Sequence, residues 1–212
     1  MTGPGGAELH IVTDGDPADP PMLLIGTTVH SWPDDLCAGL VRGGRFVVRY
    51  DLRDAGRSTA IDPVAPAYTL RDLVADAAGL LDALRTGPAH VVGLGPGGWI
   101  AQVLALDRPD VVHSLTLIST RPTAPGPADA DLPEHADTLM AHLMTAPEPD
   151  WTDRTAVIDH MAEQALHFAA GPAAEIREQA GRVFDHVGDA AGAVHRASQT
   201  DTVFAALRQL EP

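Results

Sequence analysis

The chain has 212 residues, 45% hydrophobic and 20% charged, enough for one domain with a sizeable core and the composition of a soluble globular protein. Its formal net charge of −15 repels a phosphate backbone, which argues against nucleic-acid binding. No apolar run is long enough to span a bilayer, and the opening MTGPGGAELH carries neither part of a signal peptide, so no membrane partner and a cytoplasmic location are expected.

Residues 7–12 (AELHIV) are expected to form a strand, followed by an Asp-, Gly- and Pro-rich turn, TDGDPADPP. MLLI (22–25) is a continuous apolar run, the pattern of a strand buried on both faces of a parallel sheet. A short helix is expected over Asp34 to Val41, ended by a Gly-Gly pair, with Cys37 packed in it. No basic neighbour of Cys37 is evident to lower its pKa, and a lone cysteine suits a reducing compartment. RFVVRY (45–50) reads as the next strand, and DLRDAGRST after it as a loop whose Asp51, Arg53, Asp54 and Arg57 brace the core.

From Thr69, the residues Leu70, Leu73, Val74, Ala77, Leu80, Leu81 and Leu84 recur at helical spacing, and Gly87-Pro88 stops the pattern. AHVV (89–92) is expected to be a strand, 98–107 a helix and HSLTLIS (113–119) a strand. Alternating strands and helices imply an α/β fold with a mostly parallel sheet and flanking helices. After Arg121 the texture changes to a Pro-rich connector, RPTAPGPADADLP, and residues 131–210 carry helical patterns without a convincing strand. The expected division is therefore a core over 1–120 and a helical segment over 121–212.

The stretch HVVGLGPGGWIAQ (90–102) reads as strand, tight turn and helix start. Many hydrolases carry Gly-x-Ser-x-Gly at such a turn, whereas here the pattern Gly93-Leu94-Gly95-Pro96-Gly97 has glycine at its centre. Together with PPMLLI, HSWPDDLCAGL, RFVVRYDLRDAGRST, YTLRDLVADAAGLLDAL and GGWIAQVLALDRPDVVHSLTLIST, in that order, the chain resembles the α/β-hydrolase family, in the bacterial branch similar to aclacinomycin methylesterase. The resemblance implies an α/β-hydrolase-like core, C-terminally truncated, with an α-helical cap and a descent from carboxylic-ester hydrolases.

It also implies specific site residues. Gly95 stands at the nucleophile position, where it has no side chain to attack a carbonyl. Pro96 follows it and has no backbone N–H to help form an oxyanion hole. Gly26 and Thr27 belong to the loop that supplies the second oxyanion donor, and His30, Trp32 and Leu94 are the further pocket candidates. The acid and histidine of such enzymes lie on strands beyond the cap, about 50 further residues that this sequence does not contain. The expectation is a hydrolase-family protein that is catalytically inactive in this form, without cofactor. The alternative is a protein that binds a small apolar or ester-like ligand between sheet and cap.

Gly93, Gly95 and Gly98 also spell G-x-G-x-x-G at a strand–helix junction, which leaves dinucleotide binding open as a third reading, with Arg121 near a 2′-phosphate. His160, Glu163 and His167 fall near one helical face, but their spacing matches no established ligand pattern, and no metal is expected. Finally, no lysine or proline interrupts the strand at 113–119, so an open edge there is expected to support a homo-oligomer.

Overall fold

The computed structural model describes residues 7–60, 68–123, 137, 141–142, 145–167 and 171–187. These fall into two compact units, one within 1–123 and one within 124–194. Of the helical segment expected over 131–210, residues 131–136, 138–140, 143–144, 168–170 and 188–210 lie outside the described residues.

The first unit is built on five strands: β1 (Ile11–Asp14), β2 (Pro21–Ile25), β3 (Phe46–Tyr50), β4 (Ala89–Leu94) and β5 (Val112–Ile118). Their order in the sheet is β1-β3-β2-β4-β5, with β1 antiparallel and all other neighbours parallel. Three helices link them: α1 (Asp34–Arg42), α2 (Leu70–Leu84) and α3 (Pro96–Asp107). β2 has helices to cover on both sides, which is why its residues run apolar without alternation. Leu23 and Ile25 join the core formed with α2 and α3, while Leu24 packs with Trp32, Cys37 and Val47 beneath α1.

α2 buries Leu70, Leu73, Val74, Ala77, Leu80 and Leu81 along one stripe. Each large aliphatic side chain of this kind contributes about 1.5–3 kcal/mol on burial. The first turn of α2 is fixed by Asp72, whose carboxylate accepts from the Thr69 N–H at 2.7 Å and from its hydroxyl at 2.8 Å. These hydrogen bonds hold the Asp72 carboxyl below the usual carboxylate range. The helix ends at Arg85 in a left-handed conformation, just ahead of the Gly87-Pro88 stop.

The first strand lies further along than its pattern predicts, at Ile11–Asp14 rather than 7–12. The segment before it is bonded to the loop after β3 instead of to the sheet. The Glu8 N–H donates to Thr59 Oγ1 at 2.8 Å, the His10 N–H to Ser58 Oγ at 2.9 Å, and the Thr59 N–H to the Glu8 carbonyl at 2.8 Å. α3 begins two residues before its predicted start, with Pro96 at its first position, where the missing N–H costs no helical hydrogen bond.

β5 ends the sheet beside β4, and every residue from His113 to Ile118 is exposed. Leu115, Leu117 and Ile118 keep 37%, 42% and 39% of their surface in solvent, more than the aliphatic side chains of the inner strands.

The second unit contains α4 (Arg154–Leu166) and α5 (Ala173–Val187), which pack through Val157, Ile158, Ala162, Ala180 and Phe184. Asp153 caps α4 by accepting from the Thr155 N–H at 2.8 Å. Among the described residues no helix is long and apolar enough to cross a membrane.

Candidate active site

Strand order locates the crevice. From β2 the chain crosses through α1 to β3 on one side, then through α2 to β4 on the other, so the winding reverses between β2 and β4. Ligands of open α/β sheets bind outside the carboxyl ends of the strands at such a reversal. The residues that stand there are Gly26–Thr28 after β2 and Gly95–Pro96 after β4, so the topology brings the nucleophile position and the candidate oxyanion loop to neighbouring strand ends.

The turn at Gly95 is sharp. Its backbone has φ 54° and ψ −119°, a region that side chains other than glycine enter only under strain. The Gly95 N–H donates to the Ile118 carbonyl at 2.9 Å, and the Gly98 N–H to the Gly95 carbonyl at 3.0 Å, which pins the turn between β5 and α3. Gln102 on α3 continues the tie, donating from Nε2 to the carbonyls of Gly98 at 3.1 Å and Arg121 at 2.9 Å.

The glycines of this turn have different causes. A Cβ on Gly93 would lie 2.6 Å from the Gly97 carbonyl oxygen and from the Gly98 Cα, and one on Gly97 would lie 2.1 Å from the Ile25 carbonyl oxygen. A Cβ on Gly98 would meet the Thr120 side chain at 2.5 Å. Close packing of the start of α3 against β4, β2 and the residues just after β5 therefore excludes side chains at these three positions. A Cβ on Gly95 would meet nothing within 4 Å. Position 95 is glycine in a strained backbone with open space in front of it, where its neighbours are glycine for want of room.

The loop after β2 is organised around its own polar groups. Thr27 and Thr28 both donate their N–H to Ser31 Oγ at 3.1 Å, and the Val29 N–H goes to Asp51 Oδ1 at 2.8 Å. The result is a short 3-10 helix at Val29–Ser31, capped by Thr28. The Thr27 N–H assigned by resemblance to an oxyanion hole is thus engaged within its own loop. Gly26 lies tightly against Ser31, 2.4 Å from its Cβ to a Cβ built at 26. His30 sits half-buried in the 3-10 helix, and Leu94 is a half-buried neighbour of the core under α1. Trp32, expected at the pocket, belongs to that core, and its buried indole N–H has no hydrogen-bond partner among the described residues.

Of the four charged residues expected to brace the core, Asp51 ties this loop to the segment after β3 and Arg53 ties that segment to α2. The fully buried Asp51 carboxylate accepts from the Val29 and Arg57 N–H groups, each at 2.8 Å. Arg53 forms a two-pronged pair with Asp76 on α2, at 2.7 Å and 2.6 Å, with both residues buried. Sequence reasoning misses two residues of this network, Asp76 and Arg49. Arg49 is buried in β3 and donates to Asp14 at 2.9 Å and Asp34 at 3.1 Å. It is also the basic neighbour of Cys37 that the sequence hides. Burial pushes the Cys37 thiol up, and the smaller pull of Arg49 does not reverse it, so this cysteine is a packing residue.

On α4, His160 stacks edge-on against Trp151 and His167 lies against His142, with ring centroids 5.8 Å and 3.8 Å apart. The two histidines predicted to share a face thus address different neighbours.

A family model for the alpha/beta hydrolase fold matches residues 22–187. The chain belongs to the α/β-hydrolase family. Among curated proteins, rhodomycin D methylesterase of Streptomyces peucetius is 46% identical over 107 residues, which is 49% of this chain and 36% of that enzyme. The chain therefore matches well under two thirds of that relative's length. A hydrolase from Pseudomonas aeruginosa of known structure shares 31% identity with a TM-score of 0.58, covering 94% of this chain and 70% of its own. The 2-hydroxy-6-oxo-6-phenylhexa-2,4-dienoate hydrolase of a Rhodococcus species superposes with a TM-score of 0.67 over 100% of this chain and 73% of its own, at 19% identity, a likeness of fold.

Proposed function

We propose that this chain is an esterase-descended α/β hydrolase that does not hydrolyse esters through position 95, and that its crevice at the ends of β2 and β4 holds a small apolar or ester-like ligand without turning it over. The observation that carries this reading is the elbow. Gly95 keeps the strained backbone of a nucleophile position and open space in front of it, yet offers no oxygen or sulfur. Pro96 has no N–H to stabilise a tetrahedral oxyanion, a donor whose loss costs about 100- to 1,000-fold in rate where it has been removed. The engagement of the Thr27 N–H with Ser31 supports the same reading. Close packing at Gly93 and Gly98 suits a dinucleotide-binding turn as well, and it is the α/β-hydrolase family match that favours the first reading over the G-x-G-x-x-G alternative.

Aryl esters of short acids, assayed against a heat-denatured control, are expected to be hydrolysed at background by the wild type. Gly95→Ser is expected to remain at background as well, since Pro96 still withholds the oxyanion donor. Saturable turnover by Gly95→Ser above the control would show that the machinery is otherwise intact and would contradict the proposal.

We propose further that the chain self-associates through β5. The strand from Val112 to Ile118 has no lysine, arginine, carboxylate or proline, and among the described residues it pairs with β4 alone, which leaves its other edge open to a second β5. Sedimentation is expected to show a dimer or larger species that Leu117→Lys shifts towards monomer. A wild type that stays monomeric at high concentration would overturn this.

A further inference from the structure

The amino end of β4 and β5, opposite the candidate crevice, carries a cluster that the hydrolase fold does not use. Pairing between these strands slips by one residue: Ala89 stands opposite Val112, but His90 stands opposite Ser114. His113 is the extra residue of this bulge. Bulges re-aim side chains, and here the strict alternation of a strand would have sent His113 to the face opposite Ser114. Instead its ring lies 4.7 Å from that of His90, centroid to centroid, at an interplanar angle of 76°. On the other side, His90 Nδ1 is 2.6 Å from Ser114 Oγ.

We propose that His90 and His113 form a binding site for a divalent transition-metal ion of the zinc or copper class, with Ser114 orienting the His90 ring. Two imidazoles that each bind one ion through a ring nitrogen at about 2.1 Å, at right or tetrahedral angles, place their centroids about 4.5–5.5 Å apart. The observed separation falls in that range. With Ser114 Oγ engaging Nδ1, the Nε2 of His90 is left for the ion. A metal-binding histidine ordinarily donates its second ring N–H to such a partner, which fixes the ring's orientation. His113 and Ser114 are exposed, so the ion has direct access.

Charge acts in both directions at this site. Partial burial, then Arg45 and His113, hold the His90 imidazole below its usual pKa. Arg45 opposes a cation locally, whereas the chain as a whole, at net −15, attracts one. Imidazole ligands suit zinc, copper and nickel rather than magnesium or calcium, which prefer oxygen. With two protein ligands, the remaining coordination positions fall to water.

The test is titration of Zn²⁺ into the full chain by calorimetry at neutral pH, alongside imidazole ¹H–¹⁵N spectra of the same sample. The wild type is expected to bind a zinc ion that shifts the His90 and His113 ring signals together. His113→Ala is expected to lower the stoichiometry by one zinc per chain. Ser114→Ala is expected to keep the site but weaken it about 10-fold, the usual cost of losing an orienting partner. Magnesium should displace none of the zinc. His90 and His113 signals that do not move on zinc addition, or a His113→Ala titration that superposes on the wild type, would overturn the proposal.

Discussion

Replacing Asp76 by alanine is expected to destabilise the first unit by about 3–5 kcal/mol, because it strands a buried guanidinium. Arg53 and Asp76 are both almost fully buried, and their pair joins the loop after β3 to the middle of α2. The Arg53 guanidinium also stacks 5.2 Å from the centroid of the Tyr68 ring, which fixes it in place. A loss of this size is a large fraction of the 5–15 kcal/mol that typically separates folded from unfolded domains. Removing both charges with apolar residues of similar volume, as in Arg53→Met with Asp76→Leu, is expected to cost less than either single change. Urea unfolding of the three variants measures this directly. An Asp76→Ala midpoint equivalent to less than 1 kcal/mol of loss would mean that Arg53 finds water or another partner.

The second large effect is expected at Gly97. An alanine there would set its Cβ 2.1 Å from the Ile25 carbonyl oxygen and 2.6 Å from the carbonyl carbon. Backbone on both sides must separate to admit it, so α3 lifts from β2. Overpacking a tight interior typically costs about 1–3 kcal/mol and more where backbone must move, which places Gly97→Ala at about 3 kcal/mol or above. Gly95→Ala meets no atom within 4 Å and is expected to cost only the strain of its dihedral angles, about 1–3 kcal/mol. Urea unfolding should therefore rank Gly97→Ala as the more destabilised of the two. The reverse order would mean that the turn is held by something other than the approach of α3 to β2.

Local pattern made much of this architecture legible. The stripe from Leu70 to Leu84, the apolar run at 22–25 and the alternation of strand and helix each depend on neighbours within a few residues, and each appears where the pattern places it. Residues 7–10 show the limit. Their pattern suits a strand, but their partners are Ser58 and Thr59, about fifty positions on, and no local period reports which distant backbone will accept them. The same holds for Arg49, whose carboxylates come from Asp14 and Asp34, and for the choice of Asp76 as the partner of Arg53. At the candidate site, the strand, tight turn and helix start around Gly95 were legible from local pattern. That pattern did not distinguish glycines required by close packing from the one required by backbone angle, because that distinction depends on what approaches each Cα. His90 and His113 escaped notice because a one-residue bulge, invisible in composition, brings them together.

The central claim is that position 95 holds no nucleophile and that no other residue of the elbow takes its place. Its most direct measurement is the intact mass of the native chain after prolonged exposure to a fluorophosphonate, with peptide mapping of any adduct. The account predicts an unchanged mass. A stoichiometric adduct on any residue from Gly93 to Gly98, or on a side chain facing that turn, would contradict it.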